Sequence, residues 1–267
     1  MTSKEQYSGG YSTLIINQFK QRNFLKQGAF LSPYLRHGLT VLDCGCGPGS
    51  MTLDIAELVN PGKVFGIDSS PIQIEQAILM QQERQISNVE FTTGTVYQLP
   101  YPDEYFDVVF AHAVLYHLQH PQEALSEFRR VLKPNGLAAL RDACHTGDMM
   151  MPEAPGLTAA WETIDKVFTH QCGDINFGSK HKQILLDVGF HNIAVSCSYD
   201  TFANQAEKDS IYRYWESFLA HDHRQLILQQ GWCTEFELEQ QCEALREWSL
   251  YPAGFFARAR CEAIAFK

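Results

Sequence analysis

The sequence has few basic residues and no long apolar run. Among its 267 residues, 21 are Lys or Arg and 31 are Asp or Glu, which gives a formal net charge of -10. Proteins whose main partner is a nucleic acid usually carry an excess of basic residues. The composition therefore argues against a nucleic-acid partner, and no stretch approaches the roughly 18 uninterrupted apolar residues that predict a membrane span.

The eight cysteines lack the dense, regular spacing of a disulfide framework, and the N-terminus lacks an apolar run of the kind that directs export. We therefore expect reduced thiols and a cytoplasmic protein. Cys44 and Cys46 form the one close pair. Further Cys or His residues are distant in sequence from this pair, which argues against a metal site.

What the sequence does contain is an alternation of strand and helix patterns. Seven segments have the apolar character of strands, namely 39–43, 63–68, 88–93, 107–114, 137–142, 192–199 and 256–266. Helical patterns follow the first, second and fourth of these strands, and this alternation predicts right-handed crossovers and parallel pairing. The fold class is thus α/β, with a doubly wound, mostly parallel seven-stranded sheet.

The pattern also predicts the domain organisation. Residues 1–35 form a helical N-terminal cap, and residues 36–200 and 255–267 form the core. Residues 201–254 are helical and rich in aromatic side chains, so we expect a helical lid inserted before the last strand. The segment 144–178 has the regular pattern of neither a strand nor a helix.

A glycine-rich turn follows the first strand, where doubly wound sheets bind cofactors. A dinucleotide site has the pattern Gly-x-Gly-x-x-Gly, but here Gly45 and Gly47 are followed by a third glycine one residue early, at Gly49. Asp43, directly before the turn, would repel a pyrophosphate and attract a cation. The turn therefore favours a positively charged nucleoside without phosphate.

Asp68 ends the second predicted strand, where a carboxylate can accept both hydroxyls of a ribose. The structural alternative is that Asp68 merely caps the following helix. Taken with the glycine turn and the strand context, the ribose interpretation is the stronger one.

Four motifs resemble, in order, those of class I S-adenosylmethionine-dependent methyltransferases. They are residues 41–49 (VLDCGCGPG), 66–70 (GIDSS), 99–107 (LPYPDEYFD) and 131–136 (VLKPNG). The resemblance is closest to the ubiquinone/menaquinone-biosynthesis-type, methyltransferase type 11-like branch. It implies a Rossmann-like core with an antiparallel last strand, S-adenosyl-L-methionine as cofactor and S-adenosyl-L-homocysteine as product.

Carried over by position, the resemblance places the methionine end of the cofactor at the glycine turn, its ammonium at Asp43 and its ribose at Asp68. The family usually has Gly-Asp-Ala before Leu-Pro, whereas this chain has Gly-Thr-Val, so a threonine hydroxyl replaces a carboxylate near the adenine. The residues expected to bind the cofactor are Tyr11, Asp43, Gly45, Cys46, Gly47, Asp68, Ser69, Gln73, Thr95, Val96 and His112.

Methyl transfer from a sulfonium is an in-line displacement, so the protein mainly aligns the reactants and excludes water. A base is useful where the acceptor must lose a proton. His117, after the fourth strand, is the first candidate for this base, and His145, after the fifth, is the second. The alternative for His117 is a purely structural, packed histidine.

The aromatic and methionine content of 144–178 and 201–254 predicts an apolar, aromatic small-molecule acceptor, such as a secondary metabolite, methylated on O, N or C. A quinone-biosynthesis C-methyltransferase and a non-catalytic S-adenosylmethionine-binding protein are the alternatives. The sequence leaves the oligomeric state open, a homo-oligomer included.

Overall fold

Eight strands form one mixed sheet in the computed structural model, which describes residues 19–171 and 173–267. The strands are β1 Thr40–Cys44, β2 Lys63–Asp68, β3 Val89–Thr93, β4 Phe106–His112, β5 Leu132–Ala143, β6 Met149–Met151, β7 His191–Phe202 and β8 Phe255–Phe266. Their order is β3-β2-β1-β4-β5-β8, and β8 also pairs with β6 and β7. Strands β1 to β5 pair in parallel, and β8 is antiparallel to each of its partners. The expectation of a doubly wound sheet with an antiparallel last strand is confirmed, but the sheet has eight strands rather than seven, because β6 adds to it by pairing with β8.

Helices precede and connect the strands. They are α1 Phe24–Gln27, α2 Ser50–Val59, α3 Pro71–Arg84, α4 Pro121–Val131, α5 Pro155–Gln171, α6 His181–Val188, α7 Gln205–Ser217, α8 Arg224–Gln229 and α9 Glu235–Leu250. Helix α3 begins as its sequence predicts, because the Ser70 side chain caps the backbone N–H of Gln73 and Pro71 occupies the first turn. No helix in the described part of the chain is long and apolar enough to cross a membrane.

The central strands are apolar because helices cover both faces of the sheet. Val41, Val108 and Phe110 pack on one face under α1 and α2, whereas Leu42 and Val109 face the other cluster. Phe110 makes an edge contact with Phe24, with ring centroids 6.2 Å apart. This contact holds the start of the described chain against the sheet, beside the carboxyl ends of the strands.

The N-terminal cap is less regular than predicted. A helical period over 11–30 suggests one helix, but the described part of it breaks at 21–23 and restarts as the four-residue α1. The Asn23 side chain accepts a hydrogen bond from the N–H of Lys26, and this cap begins the new helix. Residues 1–18, with Tyr11, lie outside the described residues.

The expectation that 144–178 is irregular is wrong. Residues Met149–Met151 form the short strand β6, which pairs with the start of β8, and the next seventeen-residue element is helix α5. Its buried residues follow a helical spacing, namely Leu157, Ala160, Thr163, Ile164, Val167 and Phe168. Pro155 is the first residue of this helix, and proline is favoured in the first turn of a helix.

The segment 201–254 is helical, as the sequence predicts, and contains α7, α8 and α9. Capping boxes at Asn204 and Thr234 begin two of these helices. Many of its aromatic side chains, including Trp215 and Trp248, are buried in the same core cluster as α5. The indole N–H of Trp248 donates to the carbonyl oxygen of Met151 at 3.0 Å, which joins α9 to β6.

Candidate active site

A cavity opens at the carboxyl ends of β1, β2 and β4, on the edge of the sheet where the strand order reverses. Phe19 and Arg22 also line it. It brings together eleven of the residues singled out from the sequence: Asp43, Gly45, Cys46, Gly47, Asp68, Ser69, Gln73, Thr95, Val96, His112 and His117. His145 is absent from this lining.

The turn after β1 is held in place by the end of β2. The N–H of Gly45 donates to the carbonyl oxygen of Ile67 at 2.7 Å. Gly45 has φ +71°, and a Cβ at this position would lie 2.3 Å from Cγ2 of Val114. A side chain is therefore excluded here, and the backbone itself forms the floor of the cavity.

Asp68 is held by two backbone donors. Its Oδ2 accepts from the N–H of Gly47 at 2.9 Å and its Oδ1 from the N–H of Ser70 at 2.9 Å. Burial raises the pKa of Asp68, although these backbone hydrogen bonds oppose the shift. Each carboxylate oxygen can accept more than one hydrogen bond, so capacity remains for two hydroxyls. Nearby, the buried Oε1 of Gln73 has no hydrogen-bond partner among the described residues.

Asp43 is 2% exposed, and its Oδ2 accepts a hydrogen bond from the Thr52 hydroxyl at 2.6 Å. Burial raises the pKa of Asp43 to about 7; the Thr52 hydrogen bond opposes this rise and the charge of Asp68 adds to it. A positively charged ligand beside Asp43 would favour the ionised carboxylate.

His112 presents a defined tautomer. Its Nε2 lies 2.9 Å from Nη1 of Arg141, and a guanidinium can only donate, so Nε2 accepts and the ring proton is on Nδ1. Burial, together with the charges of Arg22 and Arg141, holds the pKa of His112 well below its usual value. The neutral ring thus has a buried Nδ1–H that has no partner within the described chain.

The two candidate bases differ in their surroundings. Burial and then the charges of Arg22 and Arg260 lower the pKa of His117 to about 3, so its ring is a weak base. Nδ1 of His145 lies 2.6 Å from Oδ1 of Asp165. Burial and the charge of Arg258 lower the pKa of His145, while Asp165 opposes this shift.

The tautomer of His145 follows from its hydrogen bond with Asp165. A carboxylate at neutral pH only accepts, so the neutral imidazole carries its proton on Nδ1 and has a lone pair on Nε2. This Nε2 is buried and finds no hydrogen-bond partner among the residues described. Asp165 was missed from the sequence because it lies on α5, in the segment predicted to be irregular.

Residues 35–249, most of the chain, match the sequence profile of a family described as "Methyltransferase domain". The protein is a class I S-adenosylmethionine-dependent methyltransferase. Its cofactor is S-adenosyl-L-methionine. The family assignment confirms the resemblance that the four sequence motifs indicate.

Two relatives illustrate how far the similarity extends. An uncharacterized methyltransferase of Schizosaccharomyces pombe is 34% identical over 148 residues, and the match covers 53% of this chain and 53% of the relative. The matched region thus spans about half the length of that relative. The probable methyltransferase ltbC of Aspergillus luteorubrus is 27% identical over 298 aligned residues, which cover 98% of this chain and 97% of the relative.

A solved structure has the same fold. Phosphoethanolamine N-methyltransferase 2 of Haemonchus contortus, in complex with phosphomonomethylethanolamine and S-adenosylhomocysteine, superimposes with a TM-score of 0.59 at 16% identity. The match covers 91% of this chain and 52% of that one. At this identity the likeness shows the fold alone.

Proposed function

We propose that the cavity at the glycine turn is the cofactor site and that its two carboxylates contact opposite parts of S-adenosyl-L-methionine. Asp43 would pair with the ammonium, and Asp68 and Gln73 would accept hydrogen bonds from the ribose. The raised pKa of Asp43 and the unpartnered Oε1 of Gln73 support this fit, because both groups gain a favourable partner. Thr95 and Val96 line the adenine end.

We also propose an acceptor chamber beside this cavity. It consists of Tyr116, His117, His145, Phe168 and Trp215, and the ring of Phe168 lies within 6.5 Å of each of the other four rings. His117 lines the cavity and contacts the ring of Phe168, so the proposed chamber adjoins the cavity. Such aromatic walls favour a flat, apolar acceptor.

The observation that carries the proposed reaction is the His145–Asp165 pair. S-adenosylmethionine supplies an activated methyl group, and an acceptor hydroxyl must lose its proton as it is methylated. His145 Nε2 has a free lone pair and a ring held by Asp165, so it can accept that proton. We infer that the protein is an O-methyltransferase for an aromatic small molecule, with His145 as the base and His117 as a neutral wall.

The test is methyl uptake from labelled cofactor by a panel of phenols, indoles and quinols, with phosphoethanolamine included. We expect uptake on the oxygen of phenols, and a loss of about 10²- to 10⁴-fold in kcat for His145→Ala. His191→Ala, at an exposed histidine on β7, is the control and should retain activity. Uptake on carbon only, uptake by phosphoethanolamine only, or no product with any acceptor would contradict the proposal.

A further inference from the structure

Two buried arginines lie on β8, and one of them contacts a residue of the acceptor chamber. Arg258 and Arg260 alternate with small residues and therefore lie on the same face of the sheet, and they are 7% and 9% exposed. Arg258 Cζ lies 5.0 Å from the ring centroid of Trp215, a chamber residue. Its guanidinium pairs with Asp148, with Nη2 and Oδ2 3.1 Å apart. Arg258 is therefore engaged by the protein itself.

Arg260 is engaged on one side only. Its Nε donates to Oδ2 of Asp200 at 2.7 Å, whereas its Nη1 is buried and has no hydrogen-bond partner among the described residues. The Nε1–H of Trp215 is a second buried donor without a described partner. A buried charged donor without an acceptor is unfavourable, so the site is complete only when an acceptor atom enters it.

The nearby carboxylates of β7 and β8 already have partners. Asp200 also accepts from Nη2 of Arg141 at 2.9 Å. Glu262 accepts from the hydroxyls of Ser196 and Ser198, at 2.7 and 2.5 Å, and from Nε of Arg141 at 3.3 Å. Arg260 Nη1 is therefore available to a ligand.

The charge of Arg260 influences the pKa of two chamber residues. It contributes, after burial and Arg22, to the lowered pKa of His117, and it opposes the rise that burial causes in the pKa of Tyr116. Both residues belong to the chamber, and His117 also lines the cofactor cavity.

Hydrogen bonds link Arg260 to the cavity as well, because Arg260 shares Asp200 with Arg141, whose Nη1 lies 2.9 Å from Nε2 of the cavity residue His112. An anionic group at Arg260 would thus lie near the end of the cavity that His112 lines.

We propose that the methyl acceptor is an aromatic acid and that Arg260 Nη1 donates to its carboxylate, with Trp215 Nε1 as a second donor in the chamber. This inference rests on the proposed aromatic acceptor and names its charge. Donors without acceptors recognise a carboxylate better than a neutral amide, whose NH₂ group would face them without accepting.

The test measures binding rather than turnover. Titration calorimetry at pH 7.5 on protein saturated with S-adenosylhomocysteine compares hydroxybenzoates and hydroxynaphthoates with the corresponding amides. We expect at least one acid to bind at least tenfold more tightly than its amide. A bound water on Arg260 would leave acids and amides equal, so equal affinities, or no binding of any acid, overturn the inference.

Variants assign the selectivity to Arg260. Arg260→Lys keeps a positive charge for Asp200 but removes the Nη1 donor, so the preference for the acid should fall towards one while affinity for S-adenosylhomocysteine is unchanged. Trp215→Phe keeps the ring and should reduce the same preference more weakly. Arg246→Lys, at an exposed arginine paired with Glu243, is the matched control. An undiminished preference in both Arg260→Lys and Trp215→Phe contradicts the assignment.

The two proposals fail differently. Selective binding of acids without methyl uptake would overturn the proposed O-methylation and leave the carboxylate site standing. Methyl uptake by neutral phenols, without any preference for acids, would overturn the carboxylate site alone.

Discussion

Asp43→Asn should stabilise the cofactor-free protein while weakening its binding of cofactor. Burial raises the pKa of Asp43 from 3.8 to about 7. The contribution of the protonated Asp43 carboxyl to stability is fully present below the pKa that this group has in the unfolded chain. It is lost as the pH rises through the pKa that the group has in the folded protein. At 1.36 kcal/mol per pKa unit, the complete loss amounts to about 4 kcal/mol. Asparagine has no charge to bury, so the variant should lack this loss.

Urea unfolding of the cofactor-free protein at pH 5 and pH 8 measures the effect. Between these pH values the wild type should lose about 2 to 3 kcal/mol more stability than Asp43→Asn. Asp187→Asn, at an exposed aspartate of α6, should follow the wild type. Binding of S-adenosylhomocysteine at pH 8 should weaken at least tenfold in Asp43→Asn, because the ammonium of the ligand loses a charged partner. Equal pH slopes together with unchanged affinity would refute the reasoning.

Three further outcomes follow from the site. Asp68→Asn should weaken cofactor binding more than tenfold by calorimetry, since a carboxylate that accepts from backbone and ribose is replaced; unchanged affinity would contradict its role. Asp165→Asn should lower kcat without changing the KM for S-adenosylmethionine. The rise of wild-type activity with pH should have its midpoint below pH 6.5, because burial and the charge of Arg258 lower the pKa of His145 from its usual 6.5. Gly49→Ala places a Cβ 2.8 Å from the Phe91 ring, at a residue whose φ is +82°. Urea unfolding should show that this variant is about 1 to 3 kcal/mol less stable than the wild type. The loss of stability should be larger than for Gly38→Ala, where the new Cβ would have no neighbour within 4 Å among the described residues beyond those adjacent in the chain.

The parallel core was predictable because its strands are apolar runs, most of them close to a glycine or proline that ends the neighbouring element. Residues Lys63–Asp68 and Pro71–Arg84 form the strand and helix that their patterns indicate. The structure of the segment 144–178 was not predictable. Its methionines and prolines form the regular pattern of neither a strand nor a helix, although the segment contains a short strand and helix α5. Strand β6 exists only through its pairing with β8, which is distant in sequence.

The lining of the cavity was likewise predictable, because its residues lie on turns next to strand ends, and eleven of the residues singled out from the sequence line it. The hydrogen-bond partners that set the tautomer and the orientation of the site histidines were not predictable. Arg141 fixes the tautomer of His112 from a neighbouring strand, and Asp165 orients His145 from a helix. These contacts depend on tertiary packing, and no local spacing in the sequence signals them.

The binding of S-adenosylhomocysteine in the cavity is tested most directly by a crystal structure of the complex. We predict its ammonium within hydrogen-bond distance of Asp43, its ribose hydroxyls within hydrogen-bond distance of Asp68, and its adenine beside Thr95 and Val96. A nucleoside bound elsewhere on the chain, or bound here with its ribose away from Asp68, would contradict the assignment.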